Sequence, residues 1–236
     1  MANFPNRDAA RRRLLATVQP AGNSEFVALR IDGEITDIMA DRVTRQLSAS
    51  PKASTVTLIV NSPGGDLRAA RRIYGAVRRH KAKRKIAHGL HEVSSAAALV
   101  YTAGDVRRLE PGTRVLLHGA AAEPSRHAAR WTRQTYEDHA ATLAALDDVV
   151  ATTLAERCGT SLAVIKAELA TEKDMPLQKA LSIGLVHEVV GVSPPLSKAW
   201  PATARAAMAG TRQFTAGANA HKYGAGYLAA CAIGGK

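Results

Sequence analysis

Cysteine is scarce in this sequence: Cys158 and Cys231 are the only two in 236 residues. They stand far apart, without the spacing to each other or to histidine that a zinc site or a disulfide framework needs, so neither a metal nor a cross-linked secreted scaffold is expected. A reducing, cytoplasmic compartment fits that usage. Aromatic residues make up only 4% of the chain, which leaves few rings on which single-stranded bases could stack, and specific nucleic-acid binding is not expected. No stretch approaches the roughly 18 consecutive apolar residues of a membrane span, and no membrane partner is expected. The opening MANFPNRDAARRRLLATV carries arginines but no following apolar run with a cleavage site, so it does not read as a secretory signal. Acidic side chains are outnumbered, 20 against 32 basic ones, for a formal net charge of +12. Much of the excess lies among Arg71, Arg72, Arg78, Arg79, Lys81, Lys83, Arg84 and Lys85. Such a run is usually a solvated face, able to attract acidic partners without specificity.

A hydrophobic content of 46% is enough for one sizeable core with appendages. Residues 1–24 are polar and basic with Pro5, Pro20 and Gly22, and read as an arm; residues 25–192 hold the periodic elements; residues 193–236, opening on Ser193-Pro194-Pro195, are an Ala/Gly-rich tail. Within the domain, 26–31 and 56–60 are short β-branched runs that predict strands, Gly33 marks a turn, and 86–88 predicts another short strand. The segment 38–47 predicts a helix with Ile38, Met39, Val43 and Leu47 inward; 67–80 predicts an amphipathic helix with Leu67, Ala70, Ile73, Tyr74 and Val77 on its apolar face. From Ser125 to about Arg157 an approximate stripe of Ala128, Trp131, Thr135, His139, Leu143, Leu146, Val149 and Leu154 predicts a long helix stopped at Cys158-Gly159. Thr160-Ser161 caps a helix over 162–170, followed by a short helix at 178–182 and a last strand at 185–190. Strand and helix alternate with crossovers of a size that predicts a mostly parallel sheet of βαβ units.

Three points in this pattern carry chemistry. The strand at 56–60 runs into Asn61-Ser62-Pro63-Gly64-Gly65, where glycines can adopt positive φ and aim N–H groups at a developing negative charge. Ser94 and Ser95 open the apolar run Ala96-Ala97-Ala98-Leu99-Val100-Tyr101. A serine there is most often a plain helix cap, but its Oγ also lies beside free backbone N–H groups, which suits a nucleophile. The run Arg114-Val115-Leu116-Leu117-His118 ends on a histidine, the usual base for a serine. His88 and His91 are rival bases by proximity to the serine.

Taken in order, these segments resemble the proteolytic subunit of the Clp protease and its relatives in the ClpP/crotonase superfamily. The resemblance runs from 26 to about 190. It includes Ser95 followed by Thr102-Ala103-Gly104, a first strand Val27-Ala28-Leu29-Arg30-Ile31-Asp32-Gly33-Glu34-Ile35, and a closing Ile183-Gly184-Leu185-Val186. It implies an α/β, ClpP/crotonase-like fold with repeated ββα/βαβ units and a long handle-type helix. It further implies Ser95 as nucleophile, His118 as base, Asp174 as acid, and the N–H groups of Gly65 and Ala96 as the oxyanion hole, with no cofactor. Polypeptide is then the substrate, a homo-oligomeric ring the assembly, and an AAA+ unfoldase the partner, although the arm at 1–24 shows no clear likeness to the segment that meets it. Ser94 stays open as the nucleophile. Beside a serine endopeptidase stand an inactive ring subunit, a phage-type capsid maturation protease, and a CoA-thioester enzyme of the same superfamily.

Overall fold

A strand rich in β-branched residues and buried on both faces, Thr55–Ser62, organises the chain. The computed structural model describes residues 25–121 and 132–190. The expected arm, the tail and the part of the long helix read at 125–131 lie outside the described residues. β1 (Phe26–Asp32), β2 (Thr55–Ser62), β3 (Arg84–Ser94), β4 (Val106–Leu109) and β6 (Glu188–Val189) lie side by side in that order, and β5 (Arg114–Leu116) pairs with the far end of β3. Every pairing within this sheet is parallel. In β2, Val56, Leu58, Ile59 and Val60 are all buried, the continuous apolar pattern of a strand covered by helices on both sides.

The helices between the strands follow from their caps and faces. Thr36 accepts the Met39 N–H and starts α1 (Asp37–Ser48); Asp66 accepts the Ala69 N–H and starts α2 (Leu67–Arg79). α1 buries Met39, Ala40, Val43 and Leu47. Ile38, expected inward, is 79% exposed, because the cap sets a phase in which Met39 and Ala40 meet the sheet and the second helical residue points away from it. α2 buries Ala69, Ala70, Ile73 and Val77, with Leu67 and Tyr74 packed partly against the core. Arg72 ties the two helices together through Asp37, at 2.7 Å, and Asp41.

β3 is longer than the expected 86–88 and runs unbroken to Ser94. Its register with β2 shifts between Val60, which faces Gly89, and Ser62, which faces Val93. The extra residues of β3 are thus absorbed as a bulge inside the sheet. The adjoining α3 (Ala96–Tyr101) is buried along its whole length.

β4 has no counterpart in the sequence reading, because two of its four residues are arginines. Arg107 is nonetheless 1% exposed. Its guanidinium donates to the carbonyls of Leu185 (2.8 Å), Gly104 (3.0 Å), Arg157 (3.0 Å) and Gly184 (2.6 Å) and stands 2.8 Å from His187 Nε2. A buried cation so thoroughly supplied with acceptors joins β4, the long helix and the loop before β6 in one network. Burial, with Arg107 and Arg157 adding to it, pushes His187 down to about 2.

α4 (Arg133–Cys158) ends on Gly159 at φ +70, as the Cys158-Gly159 stop predicts. Its 26 residues span about 39 Å, yet its buried residues, Ala151, Leu154, Ala155 and Cys158, all lie in the last two turns. His139, placed on the apolar stripe by the sequence, is exposed, since the first half of the helix extends past the core it would have to face; Val149, also on that stripe, is exposed because Val150 and Ala151 beside it take the core-facing side. α5 (Leu162–Thr171) starts on Ser161, whose side chain accepts the Val164 N–H, and α6 (Leu177–Ser182) follows. The last strand is shorter than the expected 185–190, because Gly184 and Leu185 turn their carbonyls to Arg107 instead of joining a ladder. Among the described residues no helix is long and apolar enough to cross a membrane.

Candidate active site

β2 ends where the chain needs glycine twice. Gly64 sits at φ +107 and Gly65 at φ +133, conformations that side chains disfavour. A Cβ on Gly64 would stand 2.6 Å from Ser95 Cβ, and one on Gly65 would stand 2.5 Å from the Ile35 carbonyl oxygen. The Gly64 carbonyl accepts from Ile35 N–H at 2.7 Å, and the Ile35 carbonyl accepts from Asp66 N–H at 2.9 Å. This glycine turn is therefore clamped between the end of β1 and the start of α3. The Gly65 N–H takes no acceptor among the described residues, and the Ala96 N–H, first in α3, has none within its helix.

Ser95 occupies the elbow between β3 and α3 with φ +56 and ψ −129. A non-glycine residue held there costs on the order of 1–3 kcal/mol and persists only where its surroundings enforce it. Here Ser95 N–H donates to the Leu116 carbonyl at 2.8 Å, while Gly64 packs against the other side. Its side chain makes no capping hydrogen bond, which argues against the plain cap. Ser94, by contrast, is buried and donates its Oγ to Glu92 at 2.9 Å.

His118 follows β5 by two residues. Its Nδ1 lies 2.6 Å from the Gly119 carbonyl oxygen. A carbonyl oxygen only accepts, so Nδ1 carries the proton and the neutral ring keeps its lone pair on Nε2. The next N–H, that of Ala120, donates to Asp147 Oδ1 at 2.5 Å.

Ser95, His118, Gly65 and Ala96 line one cleft, with a volume of 680 Å³. Leu117, Leu146, Val150, Leu154 and Leu169 supply an apolar wall, Asp147 a carboxylate, and Arg68 and Arg71 a basic edge. His88 and His91 are not among the lining residues; His88 Nε2 stands 3.6 Å from Glu110.

Asp174 is not brought to that cleft. Its backbone bridges Leu116, Met175 N–H donates to the Val115 carbonyl at 2.7 Å, and its carboxylate accepts from Arg114 Nε at 2.8 Å. Arg114 also donates to Glu92 at 2.7 Å. The hydrogen bonds to Asp174 and then Glu92 raise the guanidinium above its ordinary value. Ser94, Glu92, Arg114 and Asp174 thus form a polar chain behind the cleft.

The sequence reading missed Asp147 and the cleft wall that α4 builds. Asp147 and Asp148 are adjacent carboxylates in a polar helix. Only the rotation of the helix separates them, sending Asp148 outward to Lys166 at 2.6 Å and Asp147 inward to Ala120.

The comparisons with known proteins agree with this architecture. A family model described as Clp protease matches residues 24–193. The proteolytic subunit 1 of the ATP-dependent Clp protease of Corynebacterium glutamicum is 29% identical over 167 residues, 70% of this chain and 77% of that one. The subunit 2 counterpart of Pseudomonas aeruginosa is 30% identical over 169 residues, 68% of this chain and 79% of that one. In fold, ClpP1 from Listeria monocytogenes superposes with a TM-score of 0.58 at 21% identity, covering 79% of this chain and 97% of its own. With a match that spans the whole described sheet and its helices, the chain belongs to the Clp protease family, a family of peptidases.

Proposed function

We propose that the chain is a serine endopeptidase of the Clp proteolytic-subunit type. Ser95 Oγ attacks a peptide carbonyl while His118 Nε2 takes its proton; the oxyanion accepts hydrogen bonds from the N–H groups of Gly65 and Ala96. The amine then leaves with the proton from His118, and water activated by the same ring hydrolyses the acyl-enzyme. The observation that carries this reading is Ser95 itself: a strained, uncapped serine sharing one cleft with a histidine whose Nε2 lone pair is free to act as base. Asp174 is the acid that the family resemblance supplies, and in this structure its carboxylate accepts from Arg114. The exposed first half of α4 supports a homo-oligomeric ring in which that helix meets another copy. The relatives' description as subunits of an ATP-dependent protease supports an ATP-driven unfoldase as partner.

The Asp174–Arg114 pair favours one second reading, a catalytically inactive ring subunit that works beside an active relative. Labelling with a fluorophosphonate separates the two, using the wild type, Ser95→Ala and Ser94→Ala. An active peptidase labels in the wild type and Ser94→Ala and not in Ser95→Ala. An assembled wild-type protein that does not label overturns the endopeptidase reading and establishes the inactive one.

A further inference from the structure

The cleft holds a carboxylate with no role in the reading above. Asp147 lies one turn before Ala151 and two before Leu154, on the inward face of α4. Its Oδ1 accepts the Ala120 N–H, and its carboxylate packs so closely on the backbone that a Cβ on Gly119 would stand 3.2 Å from Oδ2. His118 Nδ1–H donates to the Gly119 carbonyl. These two hydrogen bonds use the two ends of one peptide group, since the Gly119 C=O and the Ala120 N–H belong to the same planar amide. Imidazole, amide and carboxylate are thus joined in series.

We propose that Asp147 is a positioning residue for His118, acting through the Gly119–Ala120 peptide. The proposal rests on the reading of His118 as the base. A carboxylate that accepts from an amide N–H polarises that amide, and its carbonyl becomes a stronger acceptor. The Gly119 carbonyl then holds the proton on His118 Nδ1, keeps Nε2 unprotonated for Ser95, and stabilises the ring when it becomes charged. Those are the services of a triad acid, delivered here at one remove while Asp174 is bound to Arg114. Gly119 fits the same arrangement, because any larger residue would press on the Asp147 carboxylate.

The test compares Asp147→Asn, which keeps an acceptor and loses the charge, with Asp147→Ala, which loses both, and with Asp174→Asn. Charged hydrogen bonds exceed neutral ones by enough that Asp147→Asn should lower kcat for a peptide ester about tenfold with KM unchanged. Asp147→Ala should lower kcat further. The second readout does not depend on activity. In the ¹⁵N spectrum of histidine-labelled full-length protein, with the His118 signals identified by their loss in His118→Gln, Nδ1 should be of the protonated type in the wild type and in Asp174→Asn. In Asp147→Ala it should become a mixture of tautomers. A protein without esterase activity defeats the peptidase reading, and the tautomer spectrum still decides the role of Asp147. Retention of the Nδ1–H tautomer in Asp147→Ala, or its loss in Asp174→Asn, overturns the proposal.

Discussion

Replacing Gly64 by alanine tests whether the glycine turn exists to let Ser95 stand where it does. Two costs arise at Gly64, and the structure separates them. The first is conformational: φ is +107, and a side chain held in such a region costs on the order of 1–3 kcal/mol. The second is steric. The new Cβ would lie 2.6 Å from Ser95 Cβ, short of an ordinary carbon contact of about 3.5–4.0 Å by about 1 Å. Ser95 cannot retreat freely, because its N–H is fixed to the Leu116 carbonyl. A displacement of about 1 Å at a reacting group costs about 100-fold in rate, so the rate of fluorophosphonate labelling should fall by about that factor. Gly112→Ala is the control. Gly112 sits at φ +81 with nothing within 4 Å of the added Cβ, so it incurs the backbone strain without the contact. Both variants should lose stability in denaturant unfolding, Gly64→Ala the more by its added contact, and only Gly64→Ala should lose labelling. A Gly64→Ala protein that labels at the wild-type rate with its fold intact would refute the reasoning.

Three further outcomes follow from the buried groups. Arg107→Met strands the carbonyls of Leu185, Gly184 and Arg157, at about 1 kcal/mol or more each; the loss should be roughly 3 kcal/mol in denaturant unfolding at fixed protein concentration, and Arg107→Lys should not restore it, because a point charge cannot span those acceptors. An unchanged unfolding midpoint in Arg107→Met would contradict the network. His187, pushed down to about 2 in the folded protein, binds its proton only in the unfolded state between its ordinary value of about 6.5 and about 2. Stability from this group is therefore full above about pH 6.5 and should fall by about 2 kcal/mol by pH 5; a His187→Asn variant that keeps the same slope of stability against pH would rule this out. Burial raises the Cys158 thiol and leaves it 0% exposed, so in a Cys231→Ser background alkylation by iodoacetamide should follow global unfolding in urea, and fast reaction of the native protein would count against the packing of α4.

Legibility differed from one part of the chain to another, for physical reasons. β1, β2, α1 and α2 were readable because each is amphipathic or apolar over its own length, and the two helices follow residues that cap them, Thr36 and Asp66. β4 was not, because its Arg107 is buried by acceptors contributed from residues 104, 157, 184 and 185, and nothing local signals that company. The failure of Ile38 is smaller in kind. Its neighbours were assigned correctly, but the phase of a helix on a sheet is set by the whole face it packs against.

The sequence by itself determined the order of the elements, the glycine pair after β2, the serine at the start of α3 and the histidine after β5, because each depends on residue types within a few positions of one another. Only the tertiary structure decided which serine faces the cleft, where the Asp174 carboxylate goes and that Asp147 enters the site. Ser94 and Ser95 differ by one step along a strand end and diverge through the backbone turn at Ser95. Asp174 meets Arg114 across sixty positions of chain, and Asp147 meets Ala120 across twenty-seven. Contacts at such separations arise from packing, and no local pattern encodes them.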